Sequence, residues 1–351
     1  MTLPSTMPAV VLNGKEDLTV QELPVPAPGP GEVLVEVSHC GVCGSDLHMV
    51  IDGWGRKGSV EGHEWSGTVV AVGEGVRTWS PGDQIVGGPS VRCGKCEMCR
   101  TGHPSLCTDR GTPGMGDGGH QGAFARYIRC AEGEILRVPD GLSLRDAALA
   151  EPLAVALHGI TNSNIVPGER ALVLGAGPIG ALTIAALVAL GIDDVKVSEP
   201  SPLRQDLARK LGAKVVISPA ELEDPGLFDP GKIVDDAVDV VLECSGHGDA
   251  MEAGLAQLKR RGRLVLVGAG MAAPKFNPNR ILLNELSITG AFCYDADGFE
   301  KSLSLLASGK LPLRELIEPA DVPLSGALEA MRALVSGKLA AKVLIAPGAS
   351  A

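Results

Sequence analysis

Aromatic residues are scarce in this 351-residue sequence, with three Trp, two Tyr and five Phe. So few rings argue against a stacking platform for single-stranded nucleic acid. Positive charge is also short: 31 Lys and Arg stand against 42 Asp and Glu, a net charge of −11. Phosphate backbones demand basic patches, so no nucleic-acid partner is expected. The start, MTLPSTMPAVVLNG, lacks a basic stretch followed by an apolar core and does not read as a secretory signal. A cytoplasmic protein is therefore expected, and a disulfide framework is not. One long apolar run exists: residues 171–192 carry no charge for 22 residues, long enough to span a bilayer. Its interior reads LGAGPIG, which is turn chemistry. The run therefore divides into a buried strand, a glycine turn and a buried helix, and no membrane association is expected.

Glycine and cysteine are what the chain has in quantity. The 46 glycines imply many tight turns and close backbone approaches. The first 150 residues or so alternate short β-like runs, such as EVLVEVSHCG, SGTVVAVGEGV and DQIVGG, with Gly/Pro punctuation. They read as a mostly-β, Greek-key-like body with long functional loops. The texture changes near Glu151. From Arg170 onward strand and helix signals alternate: ALVLG, PIGALTIAALVALG, VKVSE, PLRQDLARKLG, KVVIS, VDVVLECSG, a helix around 248–259, RLVLVG and LSITGAF. That alternation predicts βαβ units, a doubly wound parallel sheet with helices on both faces. Residues 294–351 read as two more helical stretches and a closing strand that return to the first domain. The predicted division is thus 1–153 with 294–351, and 154–293.

Gly175, Gly177 and Gly180 form GxGxxG directly after the strand ALVL, and Pro178 and Ile179 open an apolar helix. The first glycine permits the tight turn, the second lets backbone approach a pyrophosphate, and the third allows close helix–strand packing. The phosphates would rest on the free N–H groups of the helix N-terminus. The next strand ends at Glu199, nineteen residues after Gly180, where an acid can bind both adenosine ribose hydroxyls. A carboxylate there repels a 2′-phosphate, so NAD is expected over NADP; Arg204, five residues later, softens that preference. Cys244 and the pair Val267 and Gly268, at the ends of later strands, are further candidate cofactor contacts.

Nine cysteines occur at 40, 43, 93, 96, 99, 107, 130, 244 and 293. Cys93, Cys96, Cys99 and Cys107, in a lobe spanning 90–110, give C-x2-C-x2-C-x7-C. Soft thiolates at this spacing suit a closed tetrahedral zinc of structural role. An iron–sulfur cluster uses similar spacings, and the neighbouring motifs favour zinc. Three further fragments carry chemistry: Cys40-Gly-Val-Cys-Gly-Ser-Asp-Leu-His48, Gly62-His63-Glu64, and Glu151-Pro-Leu-Ala-Val-Ala-Leu-His158. Cys40, Cys130, Cys244 and Cys293 read as small apolar fillers rather than metal ligands, and His158 as a packed helix residue.

With zinc lobe, GHE, EPL and GAGPIG in that order, almost the whole chain resembles the zinc-containing medium-chain dehydrogenase/reductase superfamily. Within it the resemblance is strongest to the branch of sorbitol, butanediol and threonine dehydrogenases. The resemblance implies a GroES-like catalytic domain beside a Rossmann cofactor domain. It also implies two zinc ions per chain, and catalytic ligands Cys43 and His63. Glu64 and Glu151 both match positions that can complete the sphere, one directly and one through water; which does which stays open. Asp46 would orient His63. Ser45 resembles the hydroxyl of a proton relay and His48 its outer, solvent-facing end. The implied reaction is reversible oxidation of a secondary alcohol or vicinal diol to a ketone. Zinc favours the deprotonated alcohol and the nicotinamide takes the hydride.

Trp54, Phe292 and Tyr294 are candidate walls for a small alcohol or ketone. Sorbitol dehydrogenases place an arginine where this chain has Cys293, which weakens a polyol assignment. A homodimer or homotetramer is implied, with LSITGAF as the pairing edge. Two rivals are a zinc-free NADPH-dependent reductase of enones or quinones and a non-catalytic dinucleotide-binding protein. Cys43, His63, Ser45 and the cysteine lobe stand against both.

Overall fold

The computed structural model describes residues 3–87, 93–109, 122–226, 228–270 and 272–349. The chain divides into two compact units. One comprises Met1–Pro152, Asp295–Gly309 and Ile317–Ala351, and the other Leu153–Tyr294 and Lys310–Leu316. The expectation that all of 294–351 returns to the first unit is corrected here. Tyr294 and Lys310–Leu316 group with the second, where the short helix Leu313–Leu316 packs on helix Pro178–Ala189. That tail also holds three helices where two were expected: Gly298–Ala307, Leu313–Leu316 and Ala327–Val335.

The first unit begins with a hairpin of β1 (Thr6–Gly14) and β2 (Asp17–Pro24). Its main sheet uses β3 (Glu32–Gly41), β4 (Glu64–Val72), β5 (Gln84–Gly87), β6 (Tyr127–Ala131) and β7 (Ile135–Arg137). A two-residue closing strand, Leu344–Ile345, joins the edge of β3. Every pairing is antiparallel, with β3 between β4 and the closing strand and β6 also bonded to β3. β3 is central, and its Val33, Leu34 and Val35 are fully buried in one apolar core with Ile85, Phe124 and Met331. Burial of branched side chains on a pleated surface is what drives such strands together.

One register matters for function. Gly41 at the end of β3 pairs with Glu64 at the start of β4, and with Leu344 of the closing strand. Residues just past Gly41, just before Glu64 and just before Leu344 are thereby brought to one place. These are Cys43, His63 and Lys342.

The second unit is a six-stranded parallel sheet of β8 (Arg170–Leu174), β9 (Asp194–Ser198), β10 (Val215–Ile217), β11 (Val238–Glu243), β12 (Leu258–Leu266) and β13 (Ser287–Gly290). The spatial order is β10-β9-β8-β11-β12-β13. This is the doubly wound arrangement, whose strand order reverses between β8 and β11. The uncharged run 171–192 is a strand, a turn and helix Pro178–Ala189, and among the described residues no helix is long and apolar enough to cross a membrane.

Candidate functional site

The first candidate centre is assembled at the paired ends of β3 and β4. Cys43 caps the helix Gly44–Val50, and Asp46, in its first turn, accepts from the Cys43 N–H at 2.8 Å. This is half of a capping box, and it fixes the turn that carries Cys43. The other Asp46 oxygen accepts from Gly62 N at 3.3 Å and lies 3.6 Å from His63 Nδ1. One buried carboxylate therefore ties the Cys43 turn to the His63 turn. Burial pushes Asp46 up to about 6, and the neighbouring His63 partly offsets that.

Ligand atoms of Cys43, His63 and Glu64 lie within 4.8 Å of one another. Glu151, at the start of helix Ala150–Ser163, is buried and close enough for its charge to act on His63, but it lies outside that group of three. Glu64 is held by a residue the sequence reading missed. Lys342 Nζ lies 2.8 Å from each Glu64 oxygen, but only Oε1 meets it at a hydrogen-bonding angle. Nζ also donates to Val42 O at 3.1 Å, and both side chains are at most 1 % exposed. Glu64 Oε2 is left buried with no hydrogen-bond partner. A lone cation in the apolar run AKVLIAP was the available signal for Lys342.

Backbone space matches this arrangement. A Cβ on Gly41 would stand 2.1 Å from Glu64 Oε2, so only glycine lets the carboxylate lie across the strand end. Burial pushes Glu151 up to about 7, eased by His63 and reinforced by Glu64. Burial alone would lower His63, but the charges of Asp46 and Cys43 outweigh it and raise the imidazole well above its ordinary value. The donor set is thus rich in negative charge and favours a cation at its centre. A thiolate, an imidazole and a carboxylate are ligands that zinc takes, with one position left open.

Ser45 Oγ lies 3.5 Å from His63 Nε2. His48, three residues further along the same helix, is half-buried. Its Nδ1 meets Asp52 Oδ2 at 2.6 Å and its ring stacks on Trp54 at 4.7 Å between centroids. Trp54 is exposed apart from this contact. Asp52 was missed, although its i,i+4 spacing from His48 was a readable signal.

The cysteine lobe is described from 93 to 109; positions 90–92 and 110 lie outside the described residues. Cys93, Cys96, Cys99 and Cys107 bring their sulfurs within 4.8 Å of one another, and all four are free thiols. Backbone N–H groups point at the sulfurs, Cys96 N at Cys93 Sγ (3.3 Å) and Cys99 N at Cys96 Sγ (3.5 Å). The N–H groups of Cys99 and Thr108 hold Cys96 down to about 5. These donors favour thiolate, the form that binds metal, at Cys96 and Cys107, while burial and the neighbouring Cys96 sulfur push Cys99 up to about 12.

In the second unit, Gly175 has φ +85°, the left-handed turn conformation, and its N–H donates to Ser198 O at 2.9 Å. A Cβ on Gly180 would stand 1.9 Å from Gly175 O, whereas at Gly177 the nearest atom is Arg204 Nη1 at 3.9 Å. The turn is therefore closed on its sheet side and open at Gly177, beside Pro178 and Ile179 of the helix start. Glu199 is buried; its Oε2 accepts from Ala176 N (2.7 Å) and its Oε1 from Ser201 N (2.8 Å). The acid is fixed against the glycine turn. Cys244 lies against the same helix, its Sγ 3.7 Å from Thr183 Oγ1, and burial pushes its thiol up to about 12. Val267 N and Gly268 N both donate to Glu243 O at 2.8 Å. Of the two remaining pocket candidates, Phe292 is exposed and Tyr294 is fully buried, so Tyr294 offers no open surface.

Comparison with known proteins decides the family. Residues 29–140 match the alcohol dehydrogenase GroES-like domain and residues 178–308 the zinc-binding dehydrogenase domain. The chain belongs to the zinc-dependent medium-chain dehydrogenase/reductase superfamily. It is 35 % identical to sorbitol dehydrogenase of Bacillus subtilis (strain 168), over 90 % of each chain. The crystal structure of 2R,3R-butanediol dehydrogenase from Bacillus subtilis is similar with a TM-score of 0.85 and 31 % identity, covering 97 % of this chain and 100 % of that one. A protein described as a zinc-binding dehydrogenase from Sinorhizobium meliloti 1021, bound to NADP, is similar with a TM-score of 0.84 and 29 % identity, covering 98 % and 100 %. The expected pairing of a GroES-like domain with a Rossmann domain is borne out, and the superfamily's chemistry here is oxidoreduction at CH–OH groups.

Proposed function

We propose that this protein is a zinc-dependent alcohol dehydrogenase that reversibly oxidises a secondary alcohol or vicinal diol of modest size, with NAD as hydride acceptor. The observation that carries the reading is the convergence of ligand atoms of Cys43, His63 and Glu64 within 4.8 Å of one another. When bound there, zinc would supply Lewis acidity that eases loss of the alcohol proton, and the nicotinamide would accept the hydride. Cys43, His63 and Glu64 would be the direct ligands, with Glu151 as the outer carboxylate and Cys93, Cys96, Cys99 and Cys107 holding a closed structural zinc.

The protein's own groups then manage one proton. Ser45 Oγ stands at the metal centre and would hand the proton outward to His48. Asp52 accepts from His48 Nδ1, which fixes that nitrogen as the N–H and leaves Nε2 as the acceptor. The partly exposed ring then releases the proton to water, with Asp52 fixing its orientation. In the second unit, the open approach at Gly177 would admit the pyrophosphate, and the second lone pairs of Glu199 would accept the ribose hydroxyls. Arg204 beside Gly177 tempers the rejection of a 2′-phosphate.

Kinship with proteins named for sorbitol and butanediol supports a substrate with a secondary hydroxyl, and Trp54, stacked on His48, is a candidate wall. A panel of secondary alcohols, vicinal diols and polyols, scored by kcat/KM with NAD and NADP, tests this. Turnover of a diol or secondary alcohol with NAD preferred is expected; no turnover of any of them would reject the reaction, and a preference for NADP would reject the cofactor assignment.

A further inference from the structure

Glu243 is a buried carboxylate that no step above uses. It ends β11, at the point where the strand order reverses, and it is fully buried. Its Oε1 accepts from Ser245 N at 2.8 Å, from Gly246 N at 3.0 Å and from the Ser245 hydroxyl; its Oε2 accepts from Gly246 N at 3.1 Å. The Ser245 hydroxyl in turn accepts from His247 N at 3.2 Å, and His247 caps helix Gly248–Ala256. One side chain thus holds Ser245 and Gly246, the middle of the loop between β11 and its helix, and reaches His247 through the Ser245 hydroxyl.

The loop has no alternative seat. Gly246 has φ +75°, and a Cβ there would stand 2.4 Å from Ala269 O. A Cβ on Gly268 would stand 2.4 Å from Gly246 N, and one on Gly270 would meet Gly246 O at 1.6 Å. Two backbones are pressed together here with no side chain between them. Burial pushes this carboxyl above its ordinary value, and the Ser245 and Gly246 donors pull against that. A buried polar group is costly to keep unless it is hydrogen-bonded, and a simple turn would not need one.

Position indicates what the rigidity serves. In a doubly wound sheet each half binds one mononucleotide, and the glycine turn with its ribose acid marks the adenosine half. That half starts at β8. The half starting at β11 is left for the nicotinamide nucleotide. We propose that Glu243 is a positioning residue for the nicotinamide half of the dinucleotide, acting through the Cys244–His247 loop, whose Ser245 and Gly246 donors it collects. This inference rests on the dinucleotide-binding reading above.

The test compares Glu243→Gln with wild type in the zinc-loaded protein, titrating NADH by fluorescence and AMP by its competition with NADH. Glutamine keeps the shape but offers one neutral acceptor and sets an N–H group against Gly246 N. NADH affinity should fall about tenfold, while AMP affinity, which reads only the adenosine half, should stay within about twofold. Equal weakening of both ligands would mark a general packing role and overturn the proposal, as would unchanged NADH affinity. Should Glu243→Gln fail to fold, Ser245→Ala removes only the hydroxyl of the loop and should give the same split with a smaller NADH loss; no split there overturns the proposal. Absence of NADH binding by wild type would instead reject the dinucleotide reading.

Discussion

At the scale of single residues, the candidate metal centre is governed by charge taken out of water. Asp46, Glu64, Glu151 and Lys342 are all buried within the first unit. Lys342 holds Glu64 from one side, while Gly41 clears the other. Breaking a buried pair by removing one partner is costly because the remaining charge has no compensation. His48 differs from these groups because it is half-exposed and bonded only outward, to Asp52 and Trp54. His48→Ala should therefore leave zinc content and fold intact while lowering kcat about tenfold. The loss should vary with pH and be eased by small exogenous buffers. A pH–rate profile that keeps the shape of wild type would remove His48 from the relay.

At the scale of elements, the starts of the parallel strands are stitched by charge. Arg170, opening β8, pairs with Asp194 of β9 (3.1 Å) and Asp236 before β11 (2.6 Å), while its N–H donates to Asp239 (2.8 Å). Lys196 and Arg170 hold Asp236 below the usual carboxylate range. Burial pushes Asp239 up, but the Arg170 N–H and Lys259 outweigh it and hold it low. Lowered folded values mean that both groups add stability above the unfolded aspartate pKa of about 4. That stability is lost as pH falls through their lower folded values. Asp236 is half-exposed and Asp239 partly exposed, so the effect is discounted for screening. Arg170→Ala should cost about 1 kcal/mol at neutral pH, lower Tm by roughly 3 °C, and cost less in 1 M salt. Thermal melts at pH 7 and pH 3 check this: the variant and wild type should converge at the lower pH, and a constant gap would contradict it.

The elements themselves were largely readable. GxGxxG after an apolar strand identifies a strand–turn–helix because glycine spacing and backbone clearance are local properties. Cys43 and His63 were legible as candidate ligands from their motifs, yet their meeting depends on the Gly41–Glu64 register, which no local pattern encodes. Lys342 and Glu243 were missed for related reasons. Lys342 reaches Glu64 across 278 positions of sequence. Glu243 works on its own loop, and a carboxylate at a strand end looks the same in sequence whether it faces water or backbone donors. The return of Lys310–Leu316 to the second unit was hidden because a four-residue helix carries too little periodicity to declare its partner.

At the scale of the whole molecule, β13 ends the parallel sheet with one edge unpaired among the described residues, and most of its side chains are exposed. An open edge invites pairing with another copy. A homodimer or homotetramer built on that edge is the expected assembly, and light scattering returning a monomer mass would reject it. The two candidate metal sites are separate in kind. The cysteine lobe is closed by four thiols of one short segment, while the other centre draws Cys43, His63 and Glu64 from two strand ends. Metal analysis of purified wild type and Cys43→Ala, made alongside turnover, tests this division most directly. Wild type should carry two zinc ions per chain; the variant should keep the fold and one zinc, with turnover reduced at least about a thousandfold. A wild-type chain holding no zinc, or a variant that keeps both ions and its turnover, would contradict a catalytic zinc at Cys43.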